Sequence, residues 1–190
     1  ILLNDECYSE IYTGTPPPSL LEASIAAGNE SFDNVVVINS ISKRSSAPGL
    51  RSGFIAGDAK LLKEYMQYRT YVGCASPLPL QYAAAAAWED EDHVEKARQT
   101  YKNNFEIAED ILDIKPADAT FYLWIKVEDD EAFTKYLFES QSVKVLPGSY
   151  LGRNGVGRGY IRIALVEDEA KTKDALKRLV TAMERFENGR

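Results

Sequence analysis

The sequence predicts an α/β protein, in which part of a sheet-and-helix domain is followed by a smaller α+β domain. Two observations carry this. Short apolar runs rich in branched residues, Ile1 to Leu3 and Val35 to Ile38, alternate with helical patterns in the first half. Runs of that kind suit strands covered on both faces, as in parallel sheets. After Pro116 strands and helices follow in mixed order, which suits a small α+β domain. The boundary is expected inside a long helix around residues 90 to 112, dividing the chain into 1–90 and 91–190.

The elements follow in order. Ile1 to Leu3 is a strand and Gly14 to Pro18 a loop, with Pro16 to Pro18 read as rigid. Ser19-Leu20-Leu21-Glu22 matches a capping box and opens a helix ending near Gly28. Val35 to Ile38 and Ser52 to Ala56 are strands, and from Asp58 onward Leu62, Tyr65, Met66 and Arg69 recur at helical spacing. Ser76 to Pro79 is a break, and the next helix runs through the alanines to Trp88. The acidic cluster Glu89 to Asp92 suits a helix N-terminus, where the dipole favours negative charge. Val94, Ala97, Tyr101, Phe105 and Ala108 mark a long amphipathic helix that Pro116 stops. Thr120 to Val127, Val143 to Leu146 and Tyr160 to Val166 read as strands. Helices are expected from about Asp130 to Glu139 and along Leu176, Leu179, Val180, Met183 and Phe186.

Composition excludes some functions. The chain has 190 residues and a net charge of -7. That acidity argues against nucleic acid or an anionic membrane as the main partner. No apolar run approaches the roughly 18 residues of a membrane span. Two cysteines, Cys7 and Cys74, fit a reduced cytoplasmic protein and make neither a disulfide framework nor a metal site. The opening Ile1-Leu2-Leu3-Asn4-Asp5 has no polar lead-in and reads as the inside of a buried strand. A domain boundary usually falls in a polar linker, so the chain is expected to be a fragment of a longer polypeptide.

Three segments could carry chemistry. In Asp5-Glu6-Cys7-Tyr8-Ser9-Glu10-Ile11-Tyr12, Asp5 ends a strand, where α/β sheets bind ligands. A carboxylate there suits a cationic ring nitrogen, although taken alone it reads first as an N-cap or turn aspartate. In the segment Asn39 to Gly53, Lys43 sits just past a strand end among small hydroxyl residues. A lysine forms a Schiff base with a carbonyl when its ammonium is made more acidic, and a nearby cation such as Arg51 helps. Ser40 and Arg51 offer a hydroxyl and a fork of donors suited to phosphate oxygens, while Gly49 and Gly53 permit close backbone approach. Alone, this stretch is a basic, Ser-rich loop. In the third segment, Pro147-Gly148-Ser149 precedes Gly159-Tyr160-Ile161-Arg162-Ile163-Ala164-Leu165. Strand alternation puts Arg162 opposite Ile161, Ile163 and Leu165, where it could grip a carboxylate bidentately or face solvent. His93, in an acidic helix start, is read as solvated, and Cys7 as a packing residue.

The order D-E-x-Y-x-E-I-Y, then S-x-S-K with an arginine eight residues after the lysine, then P-G-S and I-R-I, resembles class I/II aminotransferases of fold type I. The resemblance covers essentially the whole chain and corresponds to the C-terminal half of a typical member. It implies the cofactor pyridoxal 5'-phosphate and a transfer between an amino acid and a 2-oxo acid. It implies that residues 1–90 are the C-terminal part of the cofactor-binding large domain and 91–190 the small domain. By the same resemblance Lys43 carries the cofactor and shuttles the proton, and Asp5 meets the pyridine nitrogen. Tyr8 bonds the ring oxygen, Ser40 and Arg51 hold the phosphate, and Arg162 binds the substrate α-carboxylate. No metal is implied. Ser40 to Asp58, Tyr71 to Pro77 and Leu146 to Leu151 look most like bacterial succinyldiaminopimelate aminotransferases. Those act on N-succinyl-LL-2,6-diaminopimelate and 2-oxoglutarate in lysine biosynthesis. The missing N-terminal half would complete the phosphate cradle, and the family norm is a homodimer in the cytoplasm. Ala117-Asp118-Ala119 departs from the glycine common in relatives, which puts the course of the following strand in doubt. Fold and cofactor contacts do not fix reaction type, so a β-lyase, a decarboxylase or another amino-acid aminotransferase stays open. So does the aminotransferase-like domain of a transcriptional regulator.

Overall fold

In the computed structural model, residues 1–73 and 75–188 are described, and the chain forms two units, Ile1–Arg98 and Gln99–Arg190. Cys74, half of the only possible cysteine pair, lies outside the described residues.

The first unit begins with strand β1 (Leu2–Asp5), helix α1 (Leu20–Ala26) and strand β2 (Val35–Ser40). Ser19 and Glu22 form the expected capping box at α1, each satisfying a backbone N–H that the first turn leaves open. A four-residue helix, α2 (Ile41–Arg44), follows β2 directly. A 3-10 turn (Pro48–Leu50), β3 (Gly53–Gly57), α3 (Ala59–Val72) and α4 (Leu78–Glu89) complete the order. The sheet runs β1-β2-β3, with β1 parallel to β2 and β3 antiparallel to it. It is therefore mixed rather than parallel.

Burial separates two strands that look alike in sequence. Val35, Val36 and Val37 of the central strand are buried. In β1, Leu2 is 61% and Leu3 66% exposed, so the expectation that both runs are covered is corrected. β1 is the edge strand, and all four of its residues are exposed. The α3 helix likewise buries no residue; Tyr65 and Met66, read at helical spacing, are exposed.

The long helix α5 (Asp92–Leu112) contains the division between the units. Beyond it lie β4 (Tyr122–Lys126), α6 (Asp130–Gln141), β5 (Leu146–Pro147), β6 (Tyr160–Ala164) and α7 (Glu169–Asn188). The second sheet is antiparallel with order β4-β6-β5. Its core packs Leu123, Ile125 and Ile161 against Phe105, Phe133, Leu137, Leu176 and Leu179. Each such side chain contributes about 1.5–3 kcal/mol on leaving water.

The strands here are shorter than expected. Only Leu146 and Pro147 pair in β5, where Val143 to Leu146 was foreseen, and Pro147 has no N–H to extend the ladder. β4 starts only at Tyr122, because Thr120 takes a left-handed backbone with φ 72°.

Candidate active site

The carboxyl ends of β1 and β2 lie side by side, with Asp5 in register with Ile38. The chain leaves β1 through a turn at Glu6 to Glu10, tied back by the Glu6 amide to Ile38 O at 2.7 Å. Asp5 Oδ1 accepts from the Cys7 amide at 3.0 Å, and Cys7 Sγ reaches Ser40 Oγ at 3.4 Å. The Cys7 side chain, then its amide, hold the Asp5 carboxyl below the ordinary carboxylate range. Asp5 is thus kept ionised and exposed. Burial, and then the neighbouring Asp5, push the Cys7 thiol up, so it stays protonated near neutrality.

Ser40 is both the last residue of β2 and the N-cap of α2. Its Oγ accepts from the Ser42 amide at 3.2 Å and from Cys7 Sγ, which leaves its own proton to donate. One turn on, Lys43 places Nζ 5.8 Å from the centroid of the Tyr8 ring. Arg51 follows the 3-10 turn with a left-handed backbone, φ 53° and ψ 38°. That conformation is costly for a residue with a side chain and recurs at functional sites. Its Nη1 donates to Pro48 O at 2.6 Å. Ser40 and Arg51 line one cavity of about 380 Å³, together with Ser42, Ser52 and Gly53. A Cβ on Gly53 would stand 2.5 Å from Asn39 O, so glycine is what lets β3 start against the end of β2.

Four of the expected residues are thus linked around one strand end: Asp5 to Ser40 through Cys7, and Lys43 to Tyr8. Arg51 shares the cavity with Ser40. Arg162 belongs to the second unit, on β6, where its guanidinium lies 4.3 Å from the Tyr122 ring centroid. Its neighbours Ile161 and Leu165 are buried, as alternation predicts. Among the described residues no carboxylate pairs with it.

Other residues of the same motifs were not assigned from sequence. Glu6 Oε1 accepts from Ser19 Oγ at 3.0 Å and the Leu20 amide at 2.8 Å, anchoring α1. Arg44, beside the lysine, is buried and donates to Glu10 Oε1 at 2.8 Å and Ala87 O at 2.7 Å. The His93 side chain is 32% exposed, and it also has a partner: its Nδ1 meets Asp90 Oδ2 at 2.8 Å, while its Nε2 is buried. Only the i, i+3 spacing of Asp90 and His93 signalled this in sequence.

The donor set fits pyridoxal phosphate. An ionised, exposed carboxylate suits a protonated pyridine nitrogen. A hydroxyl with its proton to give and an arginine share a cavity that no acidic side chain lines.

A model of the family described as aminotransferase class I and II matches residues 1–179. The chain is 31% identical, over 94% of its length, to the 4-dedimethylamino-4-oxo-anhydrotetracycline transaminase OxyQ of Streptomyces rimosus, of which it covers 50%. It is 35% identical, over 98% of its length, to an LL-diaminopimelate aminotransferase of Natranaerobius thermophilus, covering 47% of that protein. Among solved structures, the aminotransferase AspB of Helicobacter pylori superposes with a TM-score of 0.93 at 50% identity, over 97% of this chain and 50% of that one. The chain spans about half the length of these relatives. The match over residues 1–179 shows that the chain belongs to the class I and II aminotransferases, whose members use pyridoxal phosphate.

Proposed function

We propose that the whole protein is a pyridoxal-phosphate-dependent aminotransferase that moves an amino group between an amino acid and a 2-oxo acid. Its substrates in this reading are N-succinyl-LL-2,6-diaminopimelate and 2-oxoglutarate, in lysine biosynthesis, and it works in the cytoplasm as a homodimer. Residues 1–90 are then the C-terminal part of the cofactor-binding large domain and 91–190 the small domain. A further segment, as long as this chain, completes the site. The observation that carries the reading is the clustering of Asp5, Tyr8, Ser40 and Lys43 at two adjacent strand ends. The LL-diaminopimelate aminotransferase relative supports a diaminopimelate-class substrate. No helix among the described residues is long and apolar enough to cross a membrane.

When bound, pyridoxal phosphate supplies a conjugated ring that draws electrons from the substrate α-carbon. Asp5, held ionised, would favour the protonated ring nitrogen. Tyr8 presents its ring to Lys43 and its hydroxyl to the ring oxygen. Ser40 donates its proton, and Arg51 its remaining N–H groups, to the phosphate. Lys43 Nζ, held near by its tether, would take the proton from the substrate α-carbon as a general base and deliver it onward as a general acid, so that the proton leaves the α-carbon for good. Arg162 binds the α-carboxylate through paired N–H donors.

The test is to treat the whole protein with pyridoxal phosphate and borohydride and map the labelled peptide, then assay amino transfer from glutamate. Label on Lys43, absent in Lys43→Ala, with the amino group recovered in the acceptor, is the expected result. Label on another lysine sinks the site. Release of pyruvate, ammonia or carbon dioxide sinks the transfer in favour of a lyase or decarboxylase.

A further inference from the structure

Arg69 stands in the last turn of α3, exposed, and was read from sequence only as a helix position. It lines the cavity that Ser40 and Arg51 line. It also lines an adjoining cavity of about 500 Å³, whose lining shares Arg51, Ser52 and Gly53 with the first. No aspartate or glutamate lines either one. In a chain with 29 acidic and 22 basic residues, this is a local concentration of uncompensated positive charge. No carboxylate among the described residues pairs with Arg51 or Arg69. Two guanidiniums lining one cavity without a paired carboxylate among the described residues repel each other, and an anion between them removes that repulsion. Gly73 contributes to the arrangement. The Arg69 guanidinium packs where a Cβ of residue 73 would stand, so glycine there gives it its seat at the helix end.

We propose that Arg69 is a second arginine for the phosphate ester of the cofactor, sharing that anion with Arg51; this rests on the function proposed above. A phosphate monoester carries about -1.5 to -2 charges at neutral pH, more than one guanidinium balances. Its three terminal oxygens accept from more donors than Arg51 and Ser40 supply, since one Arg51 N–H already serves Pro48 O. Ser42 and Ser52, in the same lining, add hydroxyls around the pair.

The test compares wild type with Arg69→Gln in the whole protein. It measures the affinity for pyridoxal phosphate, for pyridoxal, which lacks the phosphate, and for inorganic phosphate. Arg69 makes no side-chain hydrogen bond to a described residue, and unchanged circular dichroism and melting will verify that the variant folds. The expected result is about a tenfold to hundredfold loss for pyridoxal phosphate and inorganic phosphate, with pyridoxal within about twofold. Equal losses for both aldehydes, or an unchanged phosphate affinity, overturn the proposal. A raised KM for a dicarboxylic substrate with phosphate affinity unchanged also overturns it, and moves Arg69 to a substrate carboxylate. If wild type takes no label on Lys43 yet binds inorganic phosphate in an Arg69-dependent way, the proposed function fails while the phosphate contact stands.

Discussion

Arg44 Nε donates to Glu10 Oε1 at 2.8 Å, which ties the lysine helix to the turn after β1. The same guanidinium bonds Ala87 O at 2.7 Å, pairs with Glu91 and lies 5.4 Å from the Trp88 ring centroid. Two adjacent cations thus have opposite roles: Lys43 faces Tyr8, while Arg44 joins α2 to the end of α4.

Arg44→Ala is therefore expected to act on stability. It strips the Ala87 carbonyl and the Glu10 carboxylate of their buried partner, a change that costs about 3 kcal/mol when the charge left behind still reaches some solvent. Urea denaturation of the whole protein measures this. Borohydride labelling of Lys43 in the folded fraction is expected to persist. A stability change below about 1 kcal/mol would show that the arginine is a bystander.

Asp130 has the matching role in the second unit. It is 2% exposed and accepts from the Ser149 amide at 2.7 Å and the Gly159 amide at 3.0 Å. It so holds the Pro147-Gly148-Ser149 turn beside the start of β6. Burial alone would push its carboxyl up, but the two amides outweigh that and hold it below the ordinary range. A lowered folded-state pKa stabilises above the unfolded value of about 3.9, and the gain is lost as pH falls through the folded value. Asp130→Asn is expected to cost about 1–3 kcal/mol at neutral pH. The deficit relative to wild type should shrink on acidification below pH of about 4. Melting curves from pH 7 downward check it, and a deficit independent of pH would remove the charge from the argument.

What was legible in sequence was local. Ser19 and Glu22 lie three residues apart, so their reciprocal bonds are written in the spacing. Period-two alternation likewise placed Arg162 opposite Ile161 and Leu165. What depends on distant chain was not. Arg44 meets Glu10, Ala87 and Glu91 across 34 to 47 residues, and no window of sequence holds that information. The run Ile1 to Leu3 has the composition of a covered strand, yet coverage is a property of neighbours, and β1 has one on a single side. The Cys7 contact to Ser40 escaped for the same reason: parallel register brings the two strand ends together only in the folded sheet.

Arg162 supplies the sharpest test of substrate binding. Its guanidinium rests on the Tyr122 ring, 4.3 Å from the centroid, across the β4–β6 pair. A guanidinium resting over an aromatic ring can still turn N–H donors toward a carboxylate. Arg162→Ala is expected to raise KM for every α-amino acid substrate about thirty- to 150-fold, the loss of about 2–3 kcal/mol from one charge-assisted pair. Arg162→Lys keeps the charge but not the fork, and should recover only part of that. Tyr122→Leu keeps the arginine and removes its platform, at about 0.5–1 kcal/mol, so KM should rise a few-fold with kcat little changed. Steady-state kinetics with two amino acids of different side chain decide the matter. An equal effect on both is what an α-carboxylate contact requires, because that group is common to all of them. An effect on one alone would instead make Arg162 a side-chain specificity residue.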